Sequence, residues 1–247
     1  MVQLVGVLNI TPDSFSDGGL FNAPDKALAQ AEQLFKDGAM LVDVGAESTR
    51  PGATRLTTEE EWQRLMPVLQ QLVERHPEHI SVDTYHPETA AKALQLGDVI
   101  INDVTGMNDP AMVSVVVKHR ARCIVSYLPT GTTQAAHTGK LVDDMQIIVD
   151  ALLAKAAELE GRGVPRKHII LDPGIGFGKT ERLNRELLTF AREVPEYPVM
   201  IGYSRKRFLG EHRMELETNL EAGRIAIAAG AAYLRVHDVA GHRQLLY

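Results

Sequence analysis

Ile169-Ile170-Leu171-Asp172-Pro173-Gly174-Ile175-Gly176-Phe177-Gly178-Lys179 is the stretch whose reading decides the fold. Its three leading apolar residues have the character of a buried parallel strand. The run closes on a carboxylate. A proline and three glycines then take the backbone out of regular structure and let it pass close to a ligand. The pattern recurs in Leu41-Val42-Asp43, Ile80-Ser81-Val82-Asp83, Val99-Ile100-Ile101-Asn102 and Tyr233-Leu234-Arg235-Val236-His237. Short strands that repeatedly end on polar groups place those groups on one rim, which is the signature of a site.

Working outward, strands alternate with helical patterns along the whole chain. Strand one is expected from Gln3 to Leu8, closed by Asn9, and a helix is expected from a cap at Asn22 until Gly38. Strand two should end at Asp43. The spacing predicts a capping box at Thr58 and Glu61, opening a helix with Pro67 inside it, where a kink or break is expected. Strand three (Ile80 to Asp83), a helix over 87–96, strand four (Val99 to Asn102) and a helix from Asp109-Pro110 follow. Strand five is expected from Cys123 to Leu128, then a loose segment to Lys140 and a helix over 141–162. After the opening stretch come a helix over 183–193, strand seven (Val199 to Ile201), a helix over 218–230 and strand eight (Ala232 to Val236). This is an α/β chain forming a single (β/α)8 TIM barrel over residues 1–247. With so little chain after strand eight, the last helix is expected to be short or missing. An open doubly wound sheet is the runner-up, but no strand is followed by G-x-G-x-x-G.

Composition sets outer limits. With 247 residues, 45% of them apolar and 23% charged, the chain is ordinary for a globular domain. Its net charge of −6 argues against nucleic acid or an anionic membrane as the main partner. An anionic ligand would need a local cluster of cations. The single Cys123 excludes an intramolecular disulfide and any multi-cysteine metal site. No signal peptide or membrane-spanning run is visible, and the expected location is the cytoplasm.

Barrels of this kind bind ligands where the strands' C-terminal ends meet the loops. Asn9, Asp43, Asp83, Asn102, Asp172, Lys206, Arg235 and His237 all fall there. A buried Asp beside an amide suits a heterocycle with an amidine-like N–C–NH2 edge, where two donors meet two carboxylate oxygens. Arg235 and His237 share one side of strand eight, where barrels commonly hold phosphate. Asn9, a neutral oxygen donor, could bind Mg2+ through a substrate phosphate. The site asks for a polar heterocycle linked to a phosphate or pyrophosphate.

At these residues the chain resembles the dihydropteroate synthases of folate biosynthesis. The motifs are Leu8-Asn-Ile-Thr-Pro-Asp-Ser-Phe-Ser-Asp-Gly-Gly, Glu47-Ser-Thr-Arg-Pro-Gly-Ala, Ser81-Val-Asp-Thr, Ile101-Asn-Asp-Val, Asp172-Pro-Gly-Ile-Gly-Phe-Gly-Lys, Ser204-Arg-Lys and Arg235-Val-His-Asp-Val, in the family's order from strand one to strand eight. The resemblance implies condensation of 6-hydroxymethyl-7,8-dihydropterin pyrophosphate with p-aminobenzoate, giving 7,8-dihydropteroate and pyrophosphate. It places the pterin seat on Asp83, Asn102, Asp172 and Lys206. It places pyrophosphate on Asn9, Arg50, Arg235 and His237, with Thr49 nearby and Mg2+ at Asn9. Aminobenzoate falls to Thr49, Pro51, Phe177, Ser204 and Lys206, and a homodimer is the implied assembly. Two departures stand out. Ser126-Tyr127 replaces the family's usual His-Met after strand five, which makes Tyr127 the residue expected against the pterin. Ala46 replaces its second Gly after strand two. Two alternatives remain at this point: a pterin-binding paralogue with weak or altered activity, and a pterin-dependent methyl-transfer domain, against which Thr49-Arg-Pro and Ser204-Arg-Lys both count.

Overall fold

The computed structural model describes residues 2–11, 23–47, 55–129 and 141–247. Eight parallel strands, β1 (Gln3–Asn9), β2 (Leu41–Gly45), β3 (Ile80–Asp83), β4 (Ile100–Asp103), β5 (Cys123–Ser126), β6 (Ile169–Asp172), β7 (Met200–Ile201) and β8 (Tyr233–Val236), pair in the order β6-β5-β4-β3-β2-β1-β8-β7. The ring is completed between β6 and β7, where Leu171 N–H donates to Pro198 O at 2.9 Å and Leu171 bridges Val199. The expected (β/α)8 barrel is what the chain forms. Its helices are α1 (Ala23–Asp37), α2 (Thr58–Arg75), α3 (Pro87–Leu96), α4 (Pro110–His119), α5 (Met145–Gly161), α6 (Glu181–Glu186), α7 (Leu216–Ala228) and α8 (Val239–His242). As expected, the last is short, one turn followed by a 3-10 segment over Arg243–Leu246. No helix among the described residues is long and apolar enough to cross a membrane.

Two separate cores explain the strand sequences. Val5, Leu41, Ile100, Ile124, Ile170 and Met200, with Tyr233 against them, fill the barrel interior. The alternate positions, among them Leu4, Val42, Ile80, Ile101, Cys123, Ile169, Ile201 and Leu234, pack in the larger layer shared with the helices. Because successive side chains point to opposite faces, the interior plug fixes which rim residues point inward. The residue two positions beyond each plug residue is Asp43 on β2, Asn102 on β4, Ser126 on β5, Asp172 on β6, Gly202 after β7 and Arg235 on β8. On β3, Ser81 pairs in register with Ile100 and Asp83 with Asn102, so Asp83 joins the same layer.

Several boundaries differ from the sequence reading. β2 continues to Gly45, because its register with β1 and β3 holds through Gly45. β5 stops at Ser126, two residues early. The capping box is Thr57 with Glu60, not Thr58 with Glu61: Thr57 Oγ1 accepts from Glu60 N–H, and Glu60 accepts from Thr57 N–H at 2.8 Å. Glu61 is instead fully buried and accepts from Thr84 Oγ1 at 2.8 Å. It lies four and seven residues before Leu65 and Val68, on the helix's buried face. α2 also runs through Pro67 without a break. The carbonyl that Pro67 leaves without its usual donor belongs to Gln63, an exposed residue, so water can satisfy it.

Candidate active site

Above the apolar plug, carboxylates and cations face one another across the barrel mouth. Arg235 Nε lies 2.6 Å from Asp43 Oδ2, and its Nη2 lies 3.0 Å from Asp83 Oδ2. Asn102 Nδ2 donates to the same Asp43 oxygen at 3.1 Å. Asp43 is fully buried, and its second oxygen has no protein partner. Burial, with Asp43 alongside, pushes the Asp83 carboxyl up to about 7 against the pull of Arg235. A carboxyl held there can take or give a proton near neutral pH.

The opposite wall comes from the opening stretch. Asp172 Oδ1 accepts the Gly174 N–H at 2.7 Å, which folds the chain back over the end of β6. Burial raises the Asp172 carboxyl, while Lys206 and the Gly174 amide oppose the rise. Gly174 has φ 66°, and a Cβ there would collide with the carbonyl oxygen of Tyr127. Asn184, on α6, accepts Gly176 N–H at 2.6 Å and holds the next part of the turn. Lys206 Nζ reaches back to Ile175 O at 2.6 Å and lies 5.4 Å from the centre of the Phe177 ring. Burial brings the Lys206 ammonium down to about 8, with Asp172 opposing and Arg235 adding to the fall.

The turn's dependence on glycine is directly testable. Gly174→Ala combines a positive-φ alanine with the steric clash and is expected to destabilise the fold by about 2–3 kcal/mol. Gly230→Ala, at φ 99° but with nothing near the added Cβ, should lose about 1–2 kcal/mol from the backbone alone. Urea unfolding of the two variants checks the difference; equal losses would remove the Tyr127 contact as a cause.

Asp83, Asn102, Asp172, Lys206 and Arg235 are brought together as expected. Ser204 and His237 come together one step further out, with His237 Nδ1 at 3.1 Å from Ser204 Oγ. Asn9 ends β1 half-buried, beside Gly45 in the register. Thr49, Arg50 and Pro51 lie outside the described residues, as does the Pro12–Gly19 part of the motif that follows strand one. The Arg235 guanidinium spans Asp43, which is fully buried, and Asp83, which is half-buried. Tyr127 has the outward parity of Cys123 and Val125, since Ile124 and Ser126 hold the inward positions of β5. Its ring packs on the outer core and lies 4.9 Å from Lys179 Nζ.

Some contributors were not singled out from the sequence. Lys179 is buried among backbone carbonyls, although a lysine after Gly-Phe-Gly reads as solvated. Glu61 was hidden in a run of three first-turn glutamates, and its phase with Leu65 and Val68 was the available signal. Glu47, after β2, accepts from Tyr85 OH at 2.5 Å and from Leu56 N–H at 3.1 Å.

A barrel whose inward rim joins carboxylates, an amide and half-buried cations is a small-molecule enzyme site of the pterin-binding kind, and residues 5–237 match the family described as pterin binding enzyme. Dihydropteroate synthase from Staphylococcus haemolyticus is 38% identical over 96% of this chain and 90% of its own length. The Xanthomonas albilineans dihydropteroate synthase solved with 4-aminobenzoic acid superposes with a TM-score of 0.89 at 35% identity, covering 99% of this chain and 90% of that one. The same organism's synthase in complex with 7,8-dihydropteroate gives a TM-score of 0.86 at 32% identity, covering 99% and 91%. The chain belongs to the dihydropteroate synthase family.

Proposed function

We propose that this protein condenses 6-hydroxymethyl-7,8-dihydropterin pyrophosphate with p-aminobenzoate, releasing pyrophosphate and forming 7,8-dihydropteroate. The observation that carries the reading is the inward rim layer itself: Asp83, Asn102 and Asp172 facing Lys206 and Arg235 over an apolar plug. The carboxylates and amide suit the donor-rich edge of a pterin, and the cations suit its pyrophosphate. The synthase relatives support the choice of acceptor.

The reaction needs no protein nucleophile. The bond between the pterin methylene carbon and the pyrophosphate oxygen breaks, and its electron pair leaves with pyrophosphate. The electron-rich dihydropterin, held by Asp83, Asn102 and Asp172, spreads the resulting positive charge. Arg50, Arg235, Lys206 and His237 stabilise the negative charge on the leaving group. The amine of p-aminobenzoate, seated by Thr49, Pro51, Phe177, Ser204 and Lys206, forms the new C–N bond and gives up a proton to water or to the departing pyrophosphate. Tyr127 supports this seat from outside the pterin face.

Asn9 is the residue assigned to Mg2+, which when bound would neutralise charge on the leaving pyrophosphate. No group of three His, Cys, Asp or Glu among the described residues could hold an ion alone. An amide oxygen on the rim fits an ion that draws most of its ligands from phosphate and water. A cytoplasmic location and a homodimer belong to the same reading.

Binding order tests it. Aminobenzoate is expected to bind measurably only when pyrophosphate and Mg2+ are present, because its seat includes Thr49 and Pro51 beside Arg50, which binds pyrophosphate. Calorimetric titrations with and without pyrophosphate decide this, and equal affinity in both would contradict the assigned seat.

A further inference from the structure

Lys179 takes no part in the mechanism above, yet its surroundings are specific. It is 5% exposed, and its Nζ lies 2.7 Å from Gly174 O, 2.9 Å from Phe177 O and 3.3 Å from Tyr127 O. An ammonium has three N–H donors, and three carbonyls face this one. The carbonyls come from two connections: Tyr127 follows β5, whereas Gly174 and Phe177 lie in the turn after β6. Tyr127 also lays its ring 4.9 Å from the same nitrogen, a cation–π contact. Main-chain contacts join the two connections as well, since Tyr127 N–H donates to Asp172 O at 2.9 Å. Burial brings the Lys179 ammonium down to about 7, with Asp172 opposing and Lys206 reinforcing the fall. The facing carbonyls favour the charged form.

The same turn carries the residues that face the substrates. Phe177 presents its ring to Lys206, and Lys206 bonds Ile175 O within the turn. Anything that loosens Gly174–Phe177 therefore moves Phe177 and Lys206 together.

We propose that Lys179 and Tyr127 form one positioning unit, in which the Lys179 ammonium ties the β5 connection to the β6 turn and the Tyr127 ring covers that ammonium. Tyr127 then acts on substrate through Lys179 and Phe177, without touching the pterin. The identity of the substrates rests on the synthase reading; the linkage rests on the contacts alone.

A double-mutant cycle tests the unit, using Lys179→Met, Tyr127→Leu and the double variant, with Tyr127→Phe and Lys179→Gln as conservative companions. The readouts are KM for aminobenzoate, pterin affinity by calorimetry, melting temperature, and hydrogen exchange of the 174–178 amides. Tyr127→Leu is expected to raise the aminobenzoate KM by about threefold to tenfold, and Tyr127→Phe, which keeps the ring, by less than about twofold. Lys179→Met should raise it by more than about tenfold, and Lys179→Gln by less, because its amide keeps two N–H donors where methionine has none. The double variant should be no worse than Lys179→Met, since the ring has lost the ammonium it covers. Losses that multiply in the double variant would overturn the proposal, as would an unchanged KM in Lys179→Met. Should the parent form no product, the synthase reading fails, but the linkage is still decided by exchange. Faster exchange of the 174–178 amides in both single variants, not compounded in the double, supports it; unchanged exchange refutes it.

Discussion

Arg235→Ala is expected to destabilise the protein by about 3 kcal/mol, the lower end for breaking a buried ion pair. The loss should grow as pH rises. Asp43 has no exposure to solvent, and the Arg235 side chain, 23% exposed, is the cation between it and Asp83. Without the guanidinium, the fully buried Asp43 carboxylate and the half-buried Asp83 carboxylate face one another without the cation that bridges them. Asp83 is already pushed up to about 7 by burial and by Asp43, and Arg235 is the cation opposing that shift. A carboxyl raised above its unfolded value favours the folded state fully below the unfolded pKa and loses that contribution as pH climbs through the folded one. The variant's deficit should therefore be larger at about pH 8 than at about pH 5. Adding Asp83→Asn to Arg235→Ala removes one of the opposed charges and should recover part of the stability. Urea unfolding at the two pH values checks both expectations. A deficit independent of pH would mean that the carboxylates are not what Arg235 balances.

Asp172→Asn is expected to weaken pterin binding by about 3 kcal/mol, on the order of a hundredfold. The substitution is nearly isosteric, and its amide oxygen can still accept the Gly174 N–H that Asp172 takes at 2.7 Å. The turn should survive. What changes is the group offered to the ligand: an acceptor oxygen becomes a donor nitrogen, which meets the heterocycle's N–H edge donor to donor. The negative charge opposing the fall of the Lys206 ammonium disappears as well. Calorimetry with dihydropterin and its pyrophosphate measures the loss, and melting temperature verifies the fold. Pterin affinity within about twofold of the parent would take Asp172 out of the seat.

The barrel was legible because its strands announce themselves twice, as apolar runs and as runs that close on a polar residue. Asp83 and Asp172 end their strands in the structure where the sequence places them, and that rule exposed the rim. Facing was harder. The alternation within strand five was clear, but which alternate set looks inward depends on the barrel's register, a property of neighbouring strands. Ile124 in the interior plug gives Tyr127 the outward parity of strand five. The partner of Arg235 was illegible for a related reason: Asp43 and Asp83 reach it across the barrel from positions 192 and 152 residues away in the chain. Lys179 and Glu61 were missed because a charged side chain reads as solvated until the groups that bury it are known.

Product formation tests the central claim most directly. Purified protein would be mixed with 6-hydroxymethyl-7,8-dihydropterin pyrophosphate, labelled p-aminobenzoate and Mg2+, and the label followed into pteroate. The predicted result is labelled 7,8-dihydropteroate with release of one pyrophosphate for each product, strongly reduced in Asp172→Asn. A folded protein that binds the pterin substrate yet transfers no label would contradict the synthase reading.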